Sequence, residues 1–299
     1  MTDPPGMDHG LYEYSALPMR PAWRWPSGES LAIAVVVYLD HWDLDADPGG
    51  VRDRRLTAGF AAYDPDYWTA SIREYGARVG VFRVLEVLDR LDISATLVAD
   101  PGACRHYRFV VDEAVRRGWE IAAGGLAGNH LVSSNLAEHE ERSALDDAAA
   151  LVSAAAGTRV RGWFGVERGE STRTPYLAAA AGYEYLCDWP NDDQPYLLAT
   201  EPPLVSLPRQ ADWDDAELLW VRRADPVTYP ATILQAAATL ASEGARAARF
   251  MHLGIRPWVL GQAHHITYLD AALAPLAARR DVWFAPAGDI ARAFREART

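Results

Sequence analysis

The sequence predicts an α/β protein, a parallel sheet flanked by helices as a barrel or a doubly wound sheet. Three observations lead there. Strand-like and helix-like segments alternate along nearly the whole chain. The first strand-like segment, LAIAVVVYLD (31–40), is a continuous apolar, largely β-branched run, as a strand buried on both faces requires. No linker and no repeat interrupts the 299 residues, so one large domain fits the length.

The elements follow in order. RVGVFRVLEVLDRL (78–91) places Val81, Val84, Leu85, Leu88 and Leu91 at helical spacing. SATLVAD (94–100) is a short strand. FVVDEAVRRG (109–118) is a helix closed by Gly118, and WEIAAGG (119–125) is a strand running into glycines. Leu136 to Ala156 is a long helix stopped by Gly157. RGWFG (161–165) is a strand, and TPYLAAAAGY (174–183) is a helix with Pro175 in its first turn. EYLCDW (184–189) and PLVSLPR (203–209) are strands, and Pro230 to Glu243 is a helix. ARFMHLGIRP (248–257) is a strand, followed by a helix from Ile266 to Arg279, the strand DVWFAPA (281–287) and a closing helix from Ile290 to Arg298. Loops remain at the N-terminus, at Asp43–Asp66 and at Asp188–Asp215.

Composition excludes several function classes. Lys and Arg number 29 against 41 Asp and Glu, a net charge of −12. A polyanion partner needs a basic face, so neither nucleic acid nor an anionic membrane is expected. No apolar run is long enough to span a bilayer. MTDPPGMDHG lacks the basic and apolar regions of a secretory leader, and Cys104 and Cys187 form no metal-type pair, so a reducing cytoplasm is expected. The expected partner is a small-molecule substrate, and homo-oligomerisation is left open.

The common α/β chemistries lack their motifs. No GxGxxG or GxxxxGK[ST] cradles phosphate, no GxSxG carries a nucleophile, and no HExxH or CxxC binds zinc. Attention therefore falls on residues just after each strand, where α/β folds place their sites. There stand Asp40-His41-Trp42, Gly124-Gly125 with Asn129 and His130, Glu167-Arg168, Asp188-Trp189 with Asp192 and Asp193, and Arg256-Pro257-Trp258 with His264-His265.

Several words along the chain resemble the polysaccharide deacetylase superfamily (carbohydrate esterase family 4), in the branch similar to purine-catabolic allantoinases and cyclic-imide hydrolases. They are WPSGESLAIAVVV, EYGARVGVFRVLEVLDRL, RRGWEI, GTRVRGWFG, TPYLAAAAGYEYLCDWPNDDQPY, VSLPR, RPWVLGQAHH and DVWFAPAGDIA. They run in family order from Trp25 to about Phe294. The resemblance implies a distorted (β/α) barrel of about seven parallel strands. Residues 1–30 would be an extended tail packing on it, and 31–299 a single catalytic domain. It also implies two acidic residues after the first strand, a base and a metal ligand, where this chain has Asp40-His41. The histidine after RRGWEI is replaced by Gly124. The histidine of the late His-Pro-aromatic motif is replaced by Arg256. The family metal centre is thus depleted: no cofactor is expected, a divalent metal is left open, and His41 and His130 are its weak candidates.

The expected site combines these readings. Asp40 is a base, since burial tunes a carboxylate toward useful pKa values. Arg256 offers a planar fork for a developing oxyanion, and one of Asp188, Asp192 or Asp193 holds the leaving nitrogen, with Asp193 set beside Asp40 and Arg256 as catalytic. His41, Trp163, Glu167, Asp188, Trp189, Asp192, Trp258 and His264 are expected around the substrate, with the three Trp as pocket walls. Trp42 and Trp283 are assigned to packing. The reading that follows is a metal-independent or weakly metal-dependent hydrolase of a C–N bond in a small cyclic amide or imide. Two alternatives stand: a repurposed fold running cyclisation, dehydration or isomerisation of a small aromatic or heterocyclic metabolite in specialised metabolism, and an inactive ligand-binding homologue.

Overall fold

A computed structural model describes residues 8–44 and 65–298. The acidic loop read from the sequence lies mostly outside them, as do the first seven residues. The sheet runs in the order β6-β7-β5-β4-β3-β2-β1-β8 and curls into a distorted barrel. Its strands are β1 (Leu31–Leu39), β2 (Thr96–Ala99), β3 (Glu120–Ala123), β4 (Gly162–Trp163), β5 (Tyr185–Leu186), β6 (Tyr196–Leu197), β7 (Val205–Ser206), β8 (Arg249–Ile255) and β9 (Val282–Phe284). All pairings are parallel except β6 with β7. β1 is the central strand. It pairs β8 along one edge, and shares the other between β9, at Leu31–Ile33, and β2, at Val36–Leu39.

Nine α-helices cover the outside among the described residues: α1 (Tyr67–Tyr75), α2 (Val81–Arg90), α3 (Pro101–His106), α4 (Arg108–Arg116), α5 (Glu138–Ala156), α6 (Thr174–Ala180), α7 (Tyr229–Gly244), α8 (Ile266–Ala277) and α9 (Ala287–Glu296). Side chains of α1 and α3 turn up at their starts in capping roles. Asp66 accepts from Thr69 N at 3.0 Å and Asp100 from Ala103 N at 2.6 Å. Gly118 and Gly157 take φ of 71° and 69°, the left-handed conformation that ends a helix. α1 and α3 were not read from the sequence. Their polar and glycine-containing turns, YWTASIREY and PGACRH, carry little apolar periodicity.

The alternation of β1 divides the core. Leu31, Ile33, Val35, Val37 and Leu39 face the helices. Ala32, Ala34, Val36 and Tyr38 face the barrel interior with Phe164, Tyr185, Val205 and Phe250. Below, Trp25, Ile290 and Phe294 plug the interior, and the Trp25 indole donates to Arg249 O at 2.8 Å. Arg20 grips Asp192 through two 2.7 Å hydrogen bonds and so ties the N-terminal segment to the barrel.

β8 leaves one edge without a strand partner, and buried backbone groups need partners. Side chains and loop backbone supply them. His252 N donates to Gln210 Oε1 at 2.9 Å, while Gln210 Nε2 donates to Phe250 O at 3.2 Å. Phe250 N reaches Asp193 O at 2.8 Å, Gln194 Nε2 reaches Ala248 O at 2.7 Å, and Trp213 Nε1 reaches His252 O at 2.9 Å. Arg256 N donates to Asp215 Oδ2 at 2.7 Å. The barrel is therefore zipped along this seam by side chains.

Candidate active site

The C-terminal ends of the strands meet around a small pocket lined by Tyr38, Asp40, Val98, Gly124, Gly128, Phe164, Gly165, Val166, Glu167, Arg209 and Arg256. Its enclosed space is about 10 Å³, room for about one water molecule, so a ring-sized ligand needs its walls to shift. Parity along β1 puts Tyr38 and Asp40 on the inward face. Asp40 is held at 3.4 Å from Arg73 Nη1. Burial raises the Asp40 pKa, with Arg73 opposing the shift. The Arg73 guanidinium lies 4.3 Å from the Trp258 ring and 5.0 Å from that of Trp42. The two indoles thus orient the cation that faces Asp40.

The opposite wall is built from guanidiniums. Arg209 and Arg256 lie over the Tyr38 ring at 4.7 and 4.8 Å. Arg256 is fully spent: its Nη1 is 2.6 Å from Asp214 and 3.6 Å from Asp215, and its Nη2 is 3.4 Å from Glu167. Burial works against the Asp214 charge, but Arg256, Arg209 and Arg168 outweigh it and hold Asp214 below the usual carboxylate range. Asp215 is pushed well up by burial and by Asp214 beside it. Arg209 is different. It is 1 % exposed, donates one long hydrogen bond to Gly165 O at 3.4 Å, and lies 3.8 Å from Asp188.

Below the ring, the Tyr38 hydroxyl is 3.0 Å from His252 Nε2. Behind Arg209, Asp188 Oδ1 accepts from Gly165 N at 2.7 Å, while Asp188 Oδ2 and both Glu170 oxygens find no donor among the described residues. Burial, and then Asp188, push the Glu170 pKa well above the carboxylate range.

The segment 165–169 carries backbone strain. Glu167 and Arg168 both adopt left-handed conformations, φ 47° and 65°. Non-glycine residues there cost of order 1–3 kcal/mol each. The turn is held by Arg168 N to Gly165 O at 3.0 Å and Gly169 N to Val166 O at 2.8 Å. It aims Glu167 at Arg256 and brings Arg168 Nη2 to 3.6 Å from Asp214.

The structure gathers only part of the residues read from the sequence. Asp40, Glu167 and Arg256 line the pocket, and Asp188 stands behind Arg209. Trp258 is buried beside Arg73 rather than on the pocket wall. Trp163 does not line the pocket: it turns to the helix side and packs on Tyr183 at 5.6 Å, while its neighbour Phe164 faces inward. Trp189 packs beside Tyr12 at 5.9 Å. Asp192 and Asp193 are not at the pocket. Asp192 binds Arg20, and Asp193 accepts from Phe250 at the start of β8 and lines a surface cleft with Trp213 and Glu243. His264 is exposed, its ring 3.9 Å from that of His265. His41 stacks on His106 at 4.3 Å, where burial and then His106 lower its pKa. His130 Nε2 lies 3.5 Å from Asp43.

A metal does not fit this donor set. The carboxylates lining the pocket, Asp40 and Glu167, each face a guanidinium, and Gly124 and Arg256 offer no ligand atom. Among the described residues no three His, Cys, Asp or Glu converge as ligands. A cleft of about 990 Å³ lies between the N-terminal segment and residues 191–199 and shares no lining residue with this pocket. None of the helices among the described residues is long and apolar enough to cross a membrane.

Tyr38, Arg73, Arg209, Asp214, Asp215 and His252 were missed by sequence reasoning. Arg209 had a usable signal: it is the first charged residue after the strand word VSLPR begins, as Asp40 is for β1.

No family model and no curated protein sequence matches the chain. Solved structures do. The PuuE allantoinase structure superposes with a TM-score of 0.79 at 24 % identity, covering 91 % of this chain and 92 % of that one. A probable polysaccharide deacetylase of Pseudomonas aeruginosa PAO1 gives 0.80 at 24 %, covering 91 % and 93 %. A carbohydrate esterase family 4 pseudoenzyme of Bacillus anthracis gives 0.50 at 12 %, covering 91 % and 69 %. The chain therefore has the distorted (β/α)-barrel fold that these deacetylase and allantoinase structures share.

Proposed function

We propose that the protein hydrolyses a C–N bond in a small cyclic amide or imide without a resident metal. One observation carries this reading: the buried Asp40 carboxylate shares a pocket with Arg209 and Arg256, stacked over Tyr38, at the strand ends. Asp40 accepts a proton from water as it attacks the ring carbonyl. Its raised pKa makes it a better base than an exposed aspartate. The guanidinium wall neutralises the oxyanion as it forms, in a site with little water to screen it. Asp40 then returns that proton to the leaving nitrogen, while Glu167, pinned by the strained turn, holds Arg256 in the wall. The shared fold with an allantoinase and a deacetylase supports C–N hydrolysis as the class.

The test is a screen of hydantoin, allantoin and succinimide, with products weighed by mass spectrometry. Gain of one water, lost by about 10²–10⁴-fold in Asp40→Asn, is the expected result. Full activity of Asp40→Asn defeats the assignment. The crowded pocket, where both lining carboxylates already face arginines, favours a second reading: a non-hydrolytic acid–base step on a small ring. Conversion without water gain selects it. Tight binding without conversion selects the ligand-binding homologue.

A further inference from the structure

The geometry points to Arg209 as the receptor for a carboxylate on the substrate, so that the ligand is an anionic ring compound and not a neutral amide. This inference uses the pocket assigned above and holds whichever reaction runs there.

Of the two guanidiniums that line the pocket, Arg209 is the less satisfied. It is 1 % exposed and lines the pocket. Its buried Nε has no acceptor among the described residues. Nη1 makes the single 3.4 Å contact to Gly165 O. A guanidinium carries five N–H donors in a planar fork, and burying them unpaired is costly.

Its nearest countercharge is weak. Asp188 stands 3.8 Å away, beyond hydrogen-bond range, and its Oδ1 is already taken by Gly165 N. The Tyr38 hydroxyl, the polar group beneath the ring, is engaged with His252. Arg256, 4.8 Å over the same ring, has three carboxylates around it. The two arginines therefore divide the work. Arg256 is a structural cation, locked by Asp214, while the Arg209 fork is free for two coplanar oxygens of a ligand. Gly124, Gly128 and Gly165 line the same pocket and keep side chains out of the approach. Adding a Cβ at Gly165 would place it 2.5 Å from Gly169 O and 3.3 Å from Asp188.

The experiment is ligand-induced thermal stabilisation and calorimetry on the full chain. The probes are hydantoin, hydantoin-5-acetate, acetate and succinate, against chloride at equal ionic strength. The wild type should bind at least one carboxylate about tenfold more tightly than neutral hydantoin. Arg209→Gln should abolish that preference, and Asp40→Asn should keep it. Failure of every carboxylate to outbind hydantoin on the wild type overturns the inference, and needs no variant to fold. So does an unchanged preference in Arg209→Gln. A carboxylate preference that depends on Arg209, with no hydrolysis of any compound, keeps this site and rejects the proposed reaction. Hydrolysis of neutral rings by a wild type that shows no carboxylate preference keeps the proposed reaction and rejects this site.

Discussion

The Tyr38 hydroxyl lies 3.0 Å from Nε2 of His252, making a phenol–imidazole pair the floor of the pocket. The other ring nitrogen, Nδ1, has no partner among the described residues. Burial, and then Arg209, Arg168 and Arg256, drive the His252 pKa well below its ordinary value, against the pull of Asp214. Histidine in the unfolded chain titrates near about 6.5. Below that pH the unfolded state therefore binds a proton that the folded state refuses. Stability is full above about pH 6.5 and falls as the pH drops from there. Urea midpoints measured from pH 8 to pH 5 should show this decline, and His252→Gln should flatten it.

Gly128 sits against Asp40. A Cβ there would lie 2.8 Å from Asp40 Cβ and 3.3 Å from His41 O. Gly128→Ala should displace the carboxylate and strain the end of β1. Small misplacements of a catalytic group cost up to about 10²-fold. The expected result is a fall in kcat of at least about tenfold, with a melting temperature lowered by the clash.

Glu141 is a structural carboxylate in α5 with no exposed surface. It accepts from Ser171 Oγ at 2.8 Å, from Thr174 Oγ1 at 2.5 Å and from Arg173 Nη2 at 2.9 Å. Glu141→Ala would strand these donors. Breaking a buried pair costs about 3–5 kcal/mol. Arg173 is about one-third exposed and reaches solvent, so the low end applies. Chemical denaturation should show a loss near 3 kcal/mol, with Glu141→Gln recovering part of it.

Arg20→Ala tests the anchor of the N-terminal segment. Its two 2.7 Å bonds to Asp192 form a bidentate pair, 12 % and 13 % exposed. Loss of about 1 kcal/mol is expected. Limited proteolysis should then cut first among residues 8–24, while the rate of any pocket reaction stays unchanged.

Much of the fold was readable because β-branched runs and helical periodicity recur in order, and β1 matched its predicted strand to within a residue. Side-chain direction was harder. Trp163 and Phe164 are adjacent, and a two-residue strand offers no alternation to decide which faces inward. Asp192 and Asp193 follow Asp188 so closely that they seem to share its site. Yet the chain descends after Trp189 and delivers them to the start of β8. The loop at Asp188–Asp215 hid Asp214 and Asp215 among what the sequence suggests are solvated charges. They are buried because Arg256, about forty residues on, meets them across the seam. Asp40 and Arg256 were legible since each is the first charge after a buried strand.

The side-chain zipper along β8 also governs the pocket's bore. β8 carries His252 and leads into Arg256, and across the seam it is tied by the amides of Gln194 and Gln210 and the indole of Trp213. A strand ladder fixes its spacing at about 4.7–4.9 Å, whereas amide and indole tethers vary with the residue chosen. The barrel's circumference is thus written in replaceable residues on the far side of the wall. Substitutions at 194, 210 or 213 would let related chains retune the size of molecule admitted while every group touching it stays the same.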